Sequence, residues 1–302
     1  MAARRSCGPS VAALRSKKLS ALACVLVVAC SSTTGNSTTT ETSLAPGTSG
    51  TEPTITTEPE SRIGIDLVGG LPIEVYGPED VGEYPVVVML HGGGWFGGSP
   101  TSMDPLADYL ASAGIVVFNA TYRTSGGGYP ESFDDVACDI QFAVSKAPEY
   151  TTSSEPLTVV AHSAGAHIGS VVSMAGDLFG RDCDFGEQVR VDRFVGLAGP
   201  YDPTIYAAVL AGYFGTRLEE DPAPWEAGSP YSYLAENPDL KMLLIHGDSD
   251  DLVPMQSSEL FLEAATEAGL DVTLQELSGA THMDAKNPTL VGDLIVEFVK
   301  EP

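Results

Sequence analysis

Ser163 sits in TVVAHSAGAH, residues 158–167, where a run of apolar and β-branched residues meets a serine and a helix-forming stretch follows. A serine there falls on a sharp strand-to-helix turn with its hydroxyl exposed. Such a hydroxyl attacks an acyl carbonyl once a neighbouring base takes its proton. The other reading is a serine in a tight bend. The turn crowds the backbone, so small residues are needed on either side, and Ala161 and Gly165 supply them. The pattern is A-x-S-x-G, one methyl away from the stricter G-x-S-x-G.

A second group is HGGGW, residues 91–95. Consecutive glycines let the backbone approach a ligand and aim N–H groups at it, which a developing oxyanion requires. Alone it reads equally as a glycine loop at a strand end; beside the serine motif the chemical reading gains. The chain holds 5 histidines that compete for the role of base. No CxxC and no His/Cys cluster occurs, so neither a metal nor a cofactor is expected.

These groups need a scaffold. YPVVVMLHGGGW (84–95), GIVVFNATYR (114–123) and LTVVAHS (157–163) are continuous apolar runs, the mark of strands buried on both faces. Residues 63–76 alternate loosely and contain LPIEVYGP, which reads as a strand ended by Gly-Pro. Further strands are expected at 191–199, 241–247 and 272–279. Phe133, Val136, Ile140, Phe142 and Val144 recur at helical spacing, with acids early and Lys146 late. Other helices are expected over 164–176, about 255–268 and 285–300. Strands alternating with helices predict an α/β fold, a mostly parallel sheet with helices on both faces. Its chemistry collects at the strand carboxyl ends, where both motifs fall.

Residues 200–240 break this rhythm and read as a small cap-like insertion. Its aromatics, Tyr201, Tyr206, Tyr213, Phe214 and Trp225, are expected to line or roof the substrate pocket together with Trp95. Gluing the cap to the body is the alternative for each.

The N-terminus reads differently. Residues 1–18 hold Arg4, Arg5, Arg15, Lys17 and Lys18 and no acid. Leu19–Ala29 is an apolar run too short to span a bilayer but suited to a signal peptide. It ends VVAC, which resembles the lipobox of bacterial lipoproteins. Residues 1–29 are therefore expected to be a lipoprotein-type signal, with Cys30 lipidated and anchored to a membrane; an ordinary secretory signal is the alternative. Residues 30–61 are Ser/Thr-rich and cannot bury a core, so they read as a flexible tether to a domain over 62–302. The location expected is extracytoplasmic, lipid-anchored to a bacterial membrane or secreted.

Removing residues 1–30 takes away five of the 15 basic residues and none of the 41 acidic ones, leaving a formal charge of −31. Such a chain repels nucleic acid. Cys138 and Cys183 remain, an even pair that suggests one disulfide in an exported protein.

With both motifs placed, the chain resembles the α/β-hydrolase superfamily, and within it the HGGG-type carboxylesterases and lipases of the hormone-sensitive-lipase or BD-FAE kind. The resemblance covers nearly all of 63–302. NATYRTSGGGYPESFDDVACDIQFAV looks like the strand, loop and helix after HGGGW, and SPYSYL like the end of the insertion; HGDSDDLVP and GATHMD look like the acid and histidine loops. Carried across, it implies Ser163 as nucleophile, Asp250 as acid and His282 as base, with the N–H groups of Gly93, Gly94 and Ala164 as oxyanion donors. The implied activity is a serine carboxylesterase acting on small-molecule esters, short acyl or aryl, through an acyl-enzyme. An amidase, formamidase or peptidase on the same triad is the alternative, and a non-catalytic binding protein on this scaffold the third reading.

The residues themselves agree. The order Ser, Asp, His is the one this fold uses. His91 and His246 precede glycine turns and are expected to brace loops; His162 sits beside the serine and cannot reach back; His167 lies one turn down the helix. His282 alone falls in a loop after the last expected strand. Asp248 and Asp251 compete with Asp250 and read as turn-forming or solvated.

Overall fold

VVVML is apolar at every position, so as a strand it needs cover on both faces. In the computed structural model, which describes residues 61–124, 128–153, 156–186 and 189–301, it has that cover. The strands are β1 (Arg62–Val68), β2 (Leu71–Tyr76), β3 (Val86–Leu90), β4 (Val116–Ala120), β5 (Thr158–His162), β6 (Arg193–Leu197), β7 (Lys241–Gly247) and β8 (Asp271–Leu277). The helices are α1 (Asp104–Ser112), α2 (Glu131–Lys146), α3 (Ala164–Met174), α4 (Ala207–Leu210), α5 (Ala223–Ala227), α6 (Gln256–Glu267) and α7 (Pro288–Lys300). The expected signal over 1–29, Cys30 and the tether up to residue 60 lie outside the described residues.

One eight-stranded sheet runs in the order β1-β2-β4-β3-β5-β6-β7-β8. From β4 through β3 to β8 every pairing is parallel; β1 and β2 are antiparallel additions at one edge. The strand expected in LPIEVYGP is β2, and the loosely alternating residues before it form a second strand, β1. Gly69 and Gly70 take φ of +58° and +85° and fold the chain into a hairpin with Val68 opposite Leu71. A two-residue turn of this kind needs positive φ at both positions, which glycine alone meets without strain.

Alternation along the strands splits the core in two. Val88, Phe118, Val159 and Phe194 face Phe133 of α2, Val171 of α3 and Phe261 of α6. Val87, Val117, Val160 and Val195 face Leu106 of α1 and Val291 and Ile295 of α7. Each fully buried large aliphatic side chain contributes about 1.5–3 kcal/mol. Edge strand β8 has one solvated face and accordingly alternates, DVTLQEL. Helix α7 starts where Asn287 accepts a hydrogen bond from Thr289 N–H at 3.1 Å, with Pro288 in the first turn.

Cys138 of α2 is bonded to Cys183, with Cα atoms 5.5 Å apart and 45 residues of separation. Closing a loop of that length stabilises by about 4 kcal/mol in the chain-entropy account.

Candidate active site

Ser163 follows β5 directly and precedes the first residue of α3. Its backbone sits at φ +53°, ψ −123°. A side chain in that region costs on the order of 1–3 kcal/mol, and it lifts the hydroxyl above the strand end. The small neighbour at Gly165 has a specific cause: a Cβ there would collide with the backbone oxygen of His91. That close approach brings the end of β3, and with it the HGGGW loop, against the start of α3.

His282 lies in the loop between β8 and α7. Asp284 fixes this loop by accepting from Thr281 N–H at 2.8 Å and Thr281 Oγ1 at 2.7 Å. The imidazole Nε2 is 2.9 Å from Ser163 Oγ, and Nδ1 is 2.7 Å from Asp250 Oδ2. A carboxylate only accepts, so Nδ1 carries the proton and Nε2 is left to accept from the serine hydroxyl. The three side chains form one hydrogen-bonded line across three separate loops.

Asp250 is anchored through both oxygens. Oδ1 accepts from the N–H groups of Leu252 at 2.9 Å and Val253 at 2.8 Å. Oδ2 accepts from His282 and also from His246 Nε2 at 3.1 Å. Burial pushes this carboxyl up, but hydrogen bonds from His246, His282 and Val253 outweigh it and hold it well below the usual carboxylate range. His246 was expected only to brace a loop. Its Nε2 also lies 2.9 Å from Val253 O, while Nδ1 is 2.7 Å from Ser258 Oγ. Two acceptors at Nε2 require a proton there, so Ser258 donates to Nδ1.

The rival acids do other work. Asp248 accepts from Gly279 N–H at 2.7 Å and so ties the acid loop to the histidine loop. Asp251 is exposed.

His162 is buried beside the serine; its ring lies 4.8 Å from that of His282, with Nε2 3.1 Å from His282 O. Burial, helped by the His282 charge, pushes His162 down to about 3. His167 is fully buried, and burial pushes it down to about 4. It accepts from Trp95 Nε1 at 3.1 Å and donates through Nε2 to Gly228 O at 2.8 Å. His91 stacks on Tyr122, whose hydroxyl donates to His91 O at 2.6 Å, and donates its Nδ1 proton to Gly92 O at 2.7 Å. These contacts hold the glycine loop. Gly93 and Gly94 have φ of +147° and +62°. Ala164 opens α3, so its N–H has no acceptor within the helix.

A cavity of about 480 Å³ opens over Ser163. Gly93, Gly94, Trp95, Tyr206, Val253 and His282 are among its walls. Trp95 is thus where it was expected, but Tyr201 and Trp225 are not on the cavity. Tyr201 is fully buried and stacks on Phe261 with ring centroids 4.2 Å apart. Trp225 packs on Phe214 at 4.4 Å and donates to Thr216 O at 3.2 Å. Tyr201 thus attaches the insertion to α6, whereas Trp225 packs within the insertion with its indole N–H satisfied. Among the described residues no group of three or more His, Cys, Asp or Glu could hold a metal ion.

Comparison with known proteins gives a consistent picture. A probable isoprenylcysteine alpha-carbonyl methylesterase of Oryza sativa subsp. japonica, ICMEL1, is 26% identical over 240 residues, covering 70% of this chain and 54% of that protein. Esterase LipQ of Mycobacterium tuberculosis is 24% identical over 230 residues, covering 72% of this chain and 54% of that protein. The chain spans about half the length of these curated relatives. A thermophilic esterase of Thermogutta terrifontis, solved with butyrate bound, shares the fold at a TM-score of 0.64 and 23% identity, over 80% of this chain and 95% of that one. The BD-FAE family matches residues 73–265, well over half the chain and inclusive of HGGGW, Ser163 and Asp250. On this match and on its sheet order, the chain is an α/β-hydrolase that belongs to the BD-FAE family.

Proposed function

We propose that the protein is a serine carboxylesterase that hydrolyses short-chain acyl or aryl esters. The observation that carries this reading is the unbroken line from Ser163 Oγ through His282 to Asp250, at 2.9 and 2.7 Å.

The steps follow from the hydrogen-bond directions. The ester carbonyl enters over Ser163, and Oγ forms a bond to its carbon while His282 Nε2 takes the hydroxyl proton. Asp250 fixes the tautomer and stabilises the imidazolium. The N–H groups of Gly93, Gly94 and Ala164 receive the oxyanion; one well-placed donor contributes about 3–4 kcal/mol. His282 returns the proton to the departing alcohol, leaving acyl-Ser163. Water then attacks the acyl carbon, with His282 again as base, and the carboxylic acid leaves.

A cavity of about 480 Å³ fits a small ester rather than a long lipid. The Thermogutta terrifontis relative, solved with butyrate, points the same way. The test is labelling with a fluorophosphonate, peptide mapping of the adduct and turnover of p-nitrophenyl acetate and butyrate. Adduct on Ser163 with ester turnover is expected. Absence of both would sink the reading; adduct without turnover would assign another acyl substrate.

For location, the basic n-region, the apolar run and VVAC motivate a lipid anchor at Cys30 in an extracytoplasmic setting. Metabolic labelling with a palmitate analogue, lost in Cys30→Ala, is the expected result; unchanged labelling in that variant would refute it.

A further inference from the structure

Lys286 lies four residues beyond His282 and is the one lysine or arginine on the cavity that holds Ser163 and His282. Its Nζ donates to the backbone oxygen of Ser102 at 2.6 Å. An ammonium has three N–H donors, so this contact fixes the side chain and leaves two. Among the described residues Lys286 forms no ion pair with a carboxylate. This is unexpected in a chain with 41 acidic and 15 basic residues.

The wall of this cavity also carries the apolar Leu252, Val253 and Met283. A partly desolvated ammonium against such a wall gains most from an anion supplied by the ligand. Burial lowers the Lys286 pKa, and burial, with a smaller contribution from the Lys286 charge, lowers those of His91 and His162.

We infer that Lys286 binds a carboxylate carried by the substrate, so that the preferred esters are anionic: an acyl chain or an alcohol bearing a free carboxyl group. This rests on the esterase reading of Ser163.

The test compares kcat/KM for matched pairs of esters. One arm sets p-nitrophenyl hydrogen glutarate against its methyl-capped form; the other sets 4-butyryloxybenzoate against its methyl ester. The ratio of anionic to neutral ester is expected to fall about tenfold in Lys286→Met in at least one arm and to recover in Lys286→Arg. A lysine that merely pins the Ser102 backbone would change both members together, and an unchanged ratio in both arms overturns the inference.

Should the variants not fold, wild-type protein decides. Between low and high NaCl the ratio falls if a local cation attracts the carboxylate. It stays flat or rises if only the overall negative charge acts, which also overturns the inference. Should no ester turn over, the esterase reading fails separately. Calorimetric binding of glutarate and 4-hydroxybenzoate then supports the lysine's role if it weakens about tenfold in Lys286→Met, and excludes it if wild type binds neither.

Discussion

His246 donates to the same oxygen of Asp250 as His282 does: its Nε2 lies 3.1 Å from Oδ2, which also receives His282 Nδ1 at 2.7 Å. The acid of the site is thus held by two imidazoles and two backbone N–H groups. A carboxylate with this many donors stays ionised and stays in place. His246→Phe should therefore lower kcat roughly 10- to 100-fold with little change in KM, since the contact acts on the acid and not on the substrate. Steady-state kinetics on p-nitrophenyl butyrate measures this; a KM effect with unchanged kcat would contradict it.

Ser163→Ala and His282→Ala should each abolish nearly all turnover while thermal unfolding stays cooperative. Asp250→Asn should lower kcat about 10⁴-fold, because an amide facing Nδ1 favours the wrong tautomer. Activity above a trace in Ser163→Ala would refute the assignment of the nucleophile.

The Ser163 backbone at φ +53° makes a prediction independent of activity. Ser163→Gly removes the side-chain penalty of that conformation, whereas Ser163→Ala keeps it. The glycine variant should be the more stable of the two by about 1 kcal/mol in urea unfolding. Equal midpoints would mean the turn is not strained.

Two buried histidines set an acid limit on stability. His162 and His167 are pushed down to about 3 and about 4, against 6.5 for an ordinary imidazole. Between those values the unfolded chain binds protons that the folded chain refuses, so stability rises with pH through this window and falls on acidification from pH 6.5. Each histidine contributes about 1.4 kcal/mol per pH unit. Urea titrations at pH 6.5 and 5.0 should show the loss, and His167→Gln should remove its share. An identical pH slope in that variant would be evidence against it.

Replacing Cys138 and Cys183 together by serine should cost about 4 kcal/mol, from the 45-residue loop that they close. Non-reducing mass analysis and unfolding of the double variant check this.

Much of this architecture is legible in the sequence because strands covered on both faces must be apolar throughout. VVVML, VVFNA and TVVAH stand out for that reason. Strand β1 is less legible than β2 because a loose alternation continues across Gly69 and Gly70, and only the paired glycines signal the turn. Ser163 and His282 are readable from chain order and loop position. The second contact of His246 on Asp250 is not, since a histidine before glycine carries no mark of what lies beneath it. Nor do Tyr201 and Trp225 announce their side: an aromatic buried within or beneath a cap and one that lines a cavity are the same residue types in a sequence. The one available signal for His167 is its place one turn below the serine, which says nothing of Trp95 or Gly228.

That imidazole joins two parts of the chain that a hinged lid would need to separate. Trp95 belongs to the glycine loop and Gly228 to the insertion, and His167 clasps both from inside α3. Lifting the insertion would tear a buried proton donor from its acceptor and loosen the loop beneath it. The exposed Leu252 and Met283 line the cavity over Ser163, and one buried imidazole ties the glycine loop beside that serine to the insertion.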